Sequence, residues 1–192
     1  MEQTRERKTD RRTLYTRMVI KDALLALLAE KDYVHITVTD ICREADIHRS
    51  TFYLHYPNIP EVLDALFADA LGSTRSLLTQ LGCEGGKEGD CAWPLCTFLR
   101  ENRKYQPLFF SDALRSLVVE RIAASGLADF TDRLRERTGL SEEVLQALFY
   151  FQLNGCLAVV RQNVALPAER WAHIQCGIDR FLKNGFEHLS EP

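Results

Sequence analysis

Apolar residues recur at helical spacing along this chain from one end to the other, and this feature constrains its fold most. A first stripe, within a helix expected over residues 11 to 31, has the spacing i, i+3, i+4, i+7 and consists of Ile20, Ala23, Leu24 and Leu27. The same spacing returns in Val38, Ile41, Cys42 and Ala45. No stretch alternates apolar and polar residues as a half-buried strand does. The pattern predicts an all-α fold.

Two short helices are predicted inside residues 37–56. The first, of about two turns, begins at Thr37, whose hydroxyl can cap the free amides, with Asp40 three residues later. The second is expected over residues 49–54 and ends before a Tyr-Pro-Asn turn. A proline then opens a longer helix, expected over residues 60–81. The result is a pair of short helices between two long ones.

The remainder of the chain also has helical patterns. Residues 82–90 hold four glycines and several charges, which is typical of a surface connection; they lack the Gly-Lys-Ser/Thr ending of a phosphate loop. Further helices are expected near residues 93–104, 107–116, 118–138, 142–166 and 167–189. There is no internal repeat.

Charge is distributed unevenly along the sequence. The 192 residues carry a formal net charge of -3, yet residues 1–21 hold seven Lys and Arg against three acids. A basic leading segment on an acidic body suggests a locally anionic partner. With 46% apolar and 27% charged residues, the composition excludes a disordered or collagen-like chain.

The cysteines and the N-terminus indicate the compartment. The six cysteines form no CxxC pair and no zinc spacing, so we expect reduced, mostly buried thiols: Cys42, Cys83, Cys91, Cys96, Cys156 and Cys176. A thiol or metal sensor built from the second, third and fourth of these is a weaker alternative. The first apolar stretch, Val19 to Ala29, contains Lys21 and Asp22, and no run approaches the 18 apolar residues of a membrane span. We therefore expect a cytoplasmic protein without a membrane partner.

The two short helices and their tight turn have the arrangement of a helix-turn-helix, whose second helix enters the DNA major groove. Ile47 and Phe52 are expected to point into the core, which leaves hydrogen-bonding side chains facing outward. Such side chains read base edges or hold phosphates. The predicted DNA-binding residues are Thr37, Thr39, His48, Arg49, Ser50, Thr51, Tyr53 and His55. On polarity alone, residues 48–55 fit a solvated helix face equally well.

The run from Thr37 to Tyr56, TVTDICREADIHRSTFYLHY, closely resembles the TetR/AcrR family of transcriptional regulators. The upstream spacing Arg17-x2-Ile20-x2-Ala23-Leu24-x2-Leu27 also matches. The resemblance covers residues 11 to about 71 and is weaker beyond. It implies a helix-turn-helix domain joined by a long fourth helix to a ligand-binding, dimerising bundle. The expected organisation is a basic arm over residues 1–10, a DNA-binding domain over 11–71 with its motif at 37–56, and an effector-binding and dimerisation domain over 72–192.

Three positions depart from the family pattern. Asp46 and Asp32 stand where glycine is common, and aspartate tolerates a left-handed backbone better than most residues. Ile59 stands where the family commonly has a lysine that contacts a phosphate. The basic residues 5–12 can supply a replacement contact along the DNA backbone, or they form a solubilising tail.

Two C-terminal helices are candidates for a dimer interface. Residues 144–160 are apolar nearly all the way round, so that helix must be buried on more than one side. The last helix has a stripe formed by Trp171, Ile174, Ile178 and Phe181. We predict a C2 homodimer through residues 142–186, and hence a palindromic operator. The alternative is that both helices belong to the core of a monomer.

Polar residues in this apolar setting are the candidates for binding a small-molecule effector: Arg100, Asn102, Tyr150, Gln152, Asn154 and Arg161. Each also fits an ordinary hydrogen-bonded polar group. No catalytic constellation, metal site or cofactor motif has an informative spacing, so we expect no enzyme and no cofactor. The sequence predicts a ligand-responsive repressor, with a transcriptional activator or a helical protein-interaction module as alternatives.

Overall fold

The computed structural model describes residues 11–78, 94–187 and 189, and every regular element in these ranges is helical. The all-α prediction is confirmed. Short 3-10 turns occur at Tyr33–His35, Arg103–Tyr105 and Asp112–Leu114. The α-helices are α1 (Arg11–Glu30), α2 (Val38–Glu44), α3 (Arg49–His55), α4 (Ile59–Leu78), α5 (Pro94–Glu101), α6 (Gln106–Phe110), α7 (Arg115–Thr138), α8 (Glu142–Asn163) and α9 (Ala168–Glu187). The basic arm and the glycine-rich stretch, with Cys83 and Cys91, lie outside the described residues.

The chain divides into two compact units, Met1–Ala68 and Asp69–Pro192. In the first unit α1, α2 and α3 pack on one another. Its core consists of the predicted stripes together with α3 and α4, and its most deeply buried side chains include Ile20, Leu24, Ile41, Phe52, Leu63 and Leu66. The apolar spacing predicted the buried faces of α1 and α2, although Val38 is only half-buried.

The second unit is organised around α7 and α8, which pack along each other, while α5 packs on α8. Arg135 of α7 pairs with Glu142 of α8, and Phe130 lies 5.3 Å from Phe149 between ring centroids. These two pairs step backward along α7 and forward along α8, so the helices are antiparallel. Gly139 ends α7 with a φ of 71°, a left-handed conformation that glycine adopts without strain.

Several predicted helix boundaries in this unit were wrong, including the start of α7 at Arg115 instead of 118 and the end of α8 at Asn163 instead of 166. The helix expected to reach residue 104 ends at Glu101, because Asn102 leaves helical geometry and its side-chain amide donates to the Phe98 carbonyl at 3.0 Å. At Asn102 a short polar side chain thus competes with the helix for a backbone carbonyl. The helix predicted over residues 107–116 ends at Phe110, because Ser111 has an extended backbone with a ψ of 124°.

Burial of α8 differs from the expectation that it would be covered on more than one side. Its inner face is buried, whereas Val144 and Phe151 are 42% and 67% exposed in the single chain. By length and composition, α8 is the one helix in the described part of the chain that could cross a membrane. Helices in soluble cores meet the same criterion, so this is weak support for a membrane span.

The described cysteines are free thiols, as predicted. Cys42, Cys96 and Cys156 are buried and Cys176 is half-buried. Burial raises the pKa of the Cys42 thiol, and nearby Arg49 opposes this shift. The raised pKa favours the less reactive, protonated form of Cys42.

Candidate nucleic-acid interface

A capping box begins α2, as the sequence predicted. The Asp40 amide donates to the Thr37 hydroxyl oxygen at 3.2 Å, while the Thr37 amide and hydroxyl donate to Asp40 Oδ2 at 2.9 and 2.7 Å. Lys31 Nζ lies 2.8 Å from the same carboxylate oxygen. The Lys31 ammonium, with the Thr37 donors, holds the pKa of the Asp40 carboxyl well below its ordinary value of 3.8. The helix start is therefore fixed by side chains of its own first turn and of the chain just after α1.

The turn between α2 and α3 depends on one unusual backbone conformation. Asp46 has a φ of 50°, and it is the non-glycine residue with positive φ among those described. The Asp46 and Ile47 amides donate to carbonyls of α2 at 3.3 and 2.9 Å. Aspartate thus occupies the left-handed position where the family commonly has glycine, at a modest conformational cost.

The second short helix, α3, is anchored by aromatic rings. Phe52 has no exposed surface and Tyr56 is buried, with ring centroids 6.4 Å apart. Tyr53 lies edge-on to Phe52 at 5.4 Å but remains 53% exposed. The buried rings fix which side of α3 faces solvent.

The outward face of α3 contains the side chains proposed to contact DNA. His48, Arg49, Ser50 and Tyr53 are exposed, and Thr51 and His55 are half-buried. Thr37 and Thr39, at the start of α2, are exposed as well. The Thr37 hydroxyl donates to Asp40 within the capping box, whereas the Thr39 hydroxyl takes no part in that box. A DNA contact by each of these residues stays a prediction.

The sequence analysis assigned no contact in this region to two of its residues, Arg17 and Leu54. Arg17 of α1 donates from Nη2 to the His55 carbonyl at 3.3 Å, and its guanidinium carbon lies 5.2 Å from the centre of the Tyr56 ring. It therefore attaches α1 to the C-terminal end of α3, where a cation is also favoured by the helix dipole. The Arg17 spacing in the sequence was the available signal. Leu54, which is 82% exposed on α3, had none.

The start of α4 is also defined by a side chain. Asn58 Oδ1 accepts the Glu61 amide at 2.9 Å, so Asn58 caps the helix, which begins at Ile59 instead of residue 60. Ile59 is half-buried. An apolar side chain stands here, at the position where the resembled family commonly has a lysine that contacts a phosphate.

The structure does not gather the six predicted effector residues into one interior site. Tyr150, Asn154 and Arg161 lie on exposed parts of α8. Arg161 donates to both carboxylate oxygens of Asp112 at 2.5 and 3.0 Å, which lowers the pKa of the Asp112 carboxyl. Gln152 is the one member of the set that is buried, at 3% exposed. Tyr150, Asn154 and Arg161 therefore face away from the core of the single chain, and an effector role for each of them stays a prediction.

Arg100 makes structural contacts within the second unit. Its guanidinium donates to the carbonyls of Asn163, Val164 and Leu166 at 3.1, 3.1 and 2.8 Å, and it lies 4.7 Å from the centre of the Trp171 ring. It thus connects α5 to the end of α8 and to α9. Asn102 caps the end of α5. Their predicted effector roles are not tested by these contacts.

No three His, Cys, Asp or Glu side chains in the described ranges gather closely enough to hold a metal ion.

Comparison with known proteins relates the N-terminal unit to a family. Residues 20–66 match the model described as "Bacterial regulatory proteins, tetR family". The "uncharacterized HTH-type transcriptional regulator YxbF" of Bacillus subtilis (strain 168) is 46% identical over 66 residues, which are 34% of this chain and 17% of that protein. The chain thus matches about a sixth of that relative's length. Among solved structures, the TetR family repressor AlkX from Dietzia sp. strain DQ12-45-1b, implicated in biodegradation of n-alkanes, aligns over 90% of this chain and 98% of its own, with 16% identity and a TM-score of 0.44.

Proposed function

We infer that this chain, which belongs through residues 20–66 to the tetR family of bacterial regulatory proteins, regulates transcription by placing α3 in the major groove of operator DNA. The observation that carries this inference is the division of α3 into two sides. Phe52 is fully buried, while His48, Arg49, Ser50 and Tyr53 are exposed on a helix whose ends are fixed. Proteins of this family act by binding DNA and are generally not enzymes.

The side chains suggest a division of labour at the DNA. Arg49 can pair with both acceptors of a guanine edge, and Ser50 can reach a base or a phosphate. Tyr53 can donate its hydroxyl to a phosphate oxygen, and Thr39 stands at the start of α2, where phosphates are favoured. Arg49→Ala should therefore relax base preference, whereas Tyr53→Phe should weaken binding to all sequences alike.

Dimerisation is supported by the exposed apolar side chains of α8 and α9. Phe151 and Phe181 are 67% and 68% exposed, and Val144 is 42% exposed, in a part of the chain that also has a well-buried inner face. A second copy that covers these rings would form a C2 interface through residues 142–186. In such a dimer the two copies of α3 are related by a two-fold axis, so they bind an inverted repeat in the DNA. The half-sites of this repeat are expected about 34 to 36 Å apart.

This interface also accounts for the apolar character of α8 without a membrane. One side of α8 packs on α7 and the other would face the partner copy, which leaves no apolar face for lipid. The protein is therefore proposed to be a dimer in the cytoplasm. Phe151→Glu should give a monomer in analytical ultracentrifugation, while Val34→Glu, a change at a 71% exposed position in the first unit, should leave the dimer intact. A dimeric Phe151→Glu variant would contradict this interface.

The full proposal is a ligand-responsive repressor whose second unit binds a small molecule. An effector changes DNA affinity only if it prefers one arrangement of the dimer over another.

The proposal is tested by selecting binding sites from a random duplex-DNA library with the purified chain at two salt concentrations. We expect an inverted repeat whose affinity falls with salt, a relaxed motif for Arg49→Ala and an unchanged motif with weaker binding for Tyr53→Phe. Recovery of no motif by a folded dimer would reject the operator-binding proposal and favour a protein-interaction role, for which exposed Leu54 on α3 is the supporting observation.

A further inference from the structure

One apolar side chain interrupts the polar, solvent-facing side of α3. Leu54 is 82% exposed, compared with 71% for Val34 and 68% for Phe181. A single exposed leucine is ordinary on a protein surface, so its exposure alone carries no function. What matters is that this leucine lies on the helix proposed to enter the major groove.

Leu54 lies in the middle of the exposed side of α3. Successive residues are turned by about 100° around a helix axis, so Ser50 and Leu54, four positions apart, share one side. Both lie about 160° around the axis from Phe52, whose ring is fully buried. Tyr53, which is 53% exposed, lies beside them. A groove that receives the Ser50 side chain therefore receives the Leu54 side chain one turn further along α3.

The backbone that carries Leu54 is fixed on both sides of it. Before it, buried Phe52 anchors the turn, and the Phe52 carbonyl accepts the Tyr56 amide at 2.9 Å. After it, the His55 carbonyl accepts a hydrogen bond from Arg17 Nη2 at 3.3 Å. Leu54 therefore combines an exposed side chain with an ordered backbone, and prior ordering lowers the entropy cost of a contact.

The surface around Leu54 favours a nucleic acid over a protein as its partner. The seven residues of α3 include no Asp or Glu, and those three and four positions before Leu54 are the hydroxyl residues Thr51 and Ser50. Arg49 at the start of the helix and Arg17 at its end add positive charge. A protein interface needs about 800 Å² per partner with an apolar centre, which one leucine among hydroxyls and cations does not supply. In the DNA major groove, the C5-methyl group of thymine is the apolar feature among hydrogen-bonding base edges.

We propose that Leu54 is a specificity-determining residue that packs on the C5-methyl group of a thymine in each half-site of the operator. The inference rests on the proposed function, because it names a base that α3 selects. The contact removes two apolar groups from water, and cytosine, which lacks the methyl group, cannot replace thymine in it. In this arrangement Arg49 and Ser50 read hydrogen-bonding edges, whereas Leu54 reads a group that forms no hydrogen bond.

The test removes the methyl group and leaves the hydrogen-bonding pattern of the DNA unchanged. Deoxyuridine replaces thymine in the operator recovered from the random library, at one position at a time and symmetrically in both half-sites. The affinity of the full chain for each duplex is measured by fluorescence anisotropy at one salt concentration. At one position we expect binding to weaken by about fourfold for each half-site, which is the effect of one buried methyl-sized group. In Leu54→Ala, deoxyuridine at that position should change the affinity by less than about twofold.

Two control variants keep the proposed methyl contact. Leu54→Met retains an apolar side chain of similar length, so it should keep the loss of affinity caused by deoxyuridine. Arg49→Ala should also keep this loss, although it changes the preferred base elsewhere in the half-site. Because Leu54 is 82% exposed, its substitution should leave the fold unchanged, and circular dichroism of each variant checks this.

Three results would overturn the inference: an operator whose half-sites lack thymine, no position at which deoxyuridine weakens binding, or an equal loss of affinity in Leu54→Ala. The last result would mean that the methyl group acts through the shape of the DNA. If Leu54→Ala binds every duplex as the unmodified chain does, the exposed leucine is left for a protein partner. Each of these outcomes leaves operator binding intact, whereas recovery of no operator by a folded dimer refutes the proposed function itself.

Discussion

The two units of this protein stabilise their helices in different ways. In the first unit, α2 and α3 have seven residues each. Their ends are stabilised by a capping box at the start of α2, a left-handed turn between the two helices and the Arg17 contact at the end of α3. In the second unit, α7 and α8 have 24 and 22 residues and pack along each other. Isolated helices of seven residues are unstable in water, so the short pair depends on its caps and on one aromatic anchor. The comparison teaches that the short helices of the first unit need local contacts at their ends in addition to an apolar core, whereas the long helices of the second unit are stabilised by extended packing along each other.

The strongest way to break this contrast is to remove the aromatic anchor. Phe52→Ala should destabilise the first unit by about 3 to 5 kcal/mol, because a fully buried ring is lost and a cavity remains. Hydrogen exchange measured by mass spectrometry should show faster exchange in residues 20–66, with residues 115–160 little changed. Equal loss of protection in both regions would show that the two units unfold together.

The corresponding change in the second unit targets the cation that connects its helices. Arg100→Met should cost about 2 to 3 kcal/mol, because three charge-assisted hydrogen bonds and the contact with Trp171 are lost. Chemical denaturation monitored by far-UV circular dichroism provides the measurement. Arg180→Met, at an exposed position on α9, is the control and should change stability by less than about 0.5 kcal/mol. Similar effects of both variants would refute the role of Arg100.

A smaller effect is expected from the start of α2. Thr37→Ala should destabilise the first unit by about 1 kcal/mol, because the capping box loses its hydroxyl. DNA binding should weaken in parallel if α2 positions α3. The measurement is thermal unfolding beside operator affinity, and exposed Thr39→Ala should leave thermal stability nearly unchanged.

Acid provides an independent check of the same box. The pKa of Asp40 is lower in the folded state than its ordinary 3.8, so its contribution to stability is complete above that pH and is lost as the pH falls toward the folded-state value. The acid sensitivity of residues 20–66 should decrease in Asp40→Asn. Unchanged sensitivity would assign the acid response to other carboxylates.

The smallest expected change is an increase in stability. Asp46→Gly should stabilise the first unit by about 0.5 to 1 kcal/mol, because glycine adopts the left-handed conformation without steric cost. This net value already includes the opposing loss of stability that comes from the greater entropy of glycine in the unfolded chain. Thermal melts detect this difference, and Asp46→Val should have the opposite effect. A destabilised glycine variant would indicate that the Asp46 side chain itself stabilises the turn.

The sequence predicted the first unit in more detail than the second, for physical reasons. The capping residues Thr37 and Asp40 and the turn at Asp46 act on neighbours within a few residues, so their signals are local. Whether Asn154 or Gln152 is buried depends on which side of α8 meets α7, and apolar spacing does not resolve this for a helix that is apolar all round. Arg100 was interpreted as a ligand-binding residue because its three carbonyl partners lie more than 60 positions away.

The connection between α8 and α9 is a poor place to add residues, although it is short and partly exposed. Arg100 binds the carbonyls of Val164 and Leu166 in the connection and of Asn163 at the end of α8, so an epitope tag or a fluorescent-protein insertion there would separate acceptors that must stay together. In the described part of the chain, the turn between α7 and α8 lacks such bonds to a third helix, although Arg135 and Glu142 pair across it and a side chain at Gly139 would be strained at its φ of 71°. A label on the protein is therefore better placed outside the connection between α8 and α9.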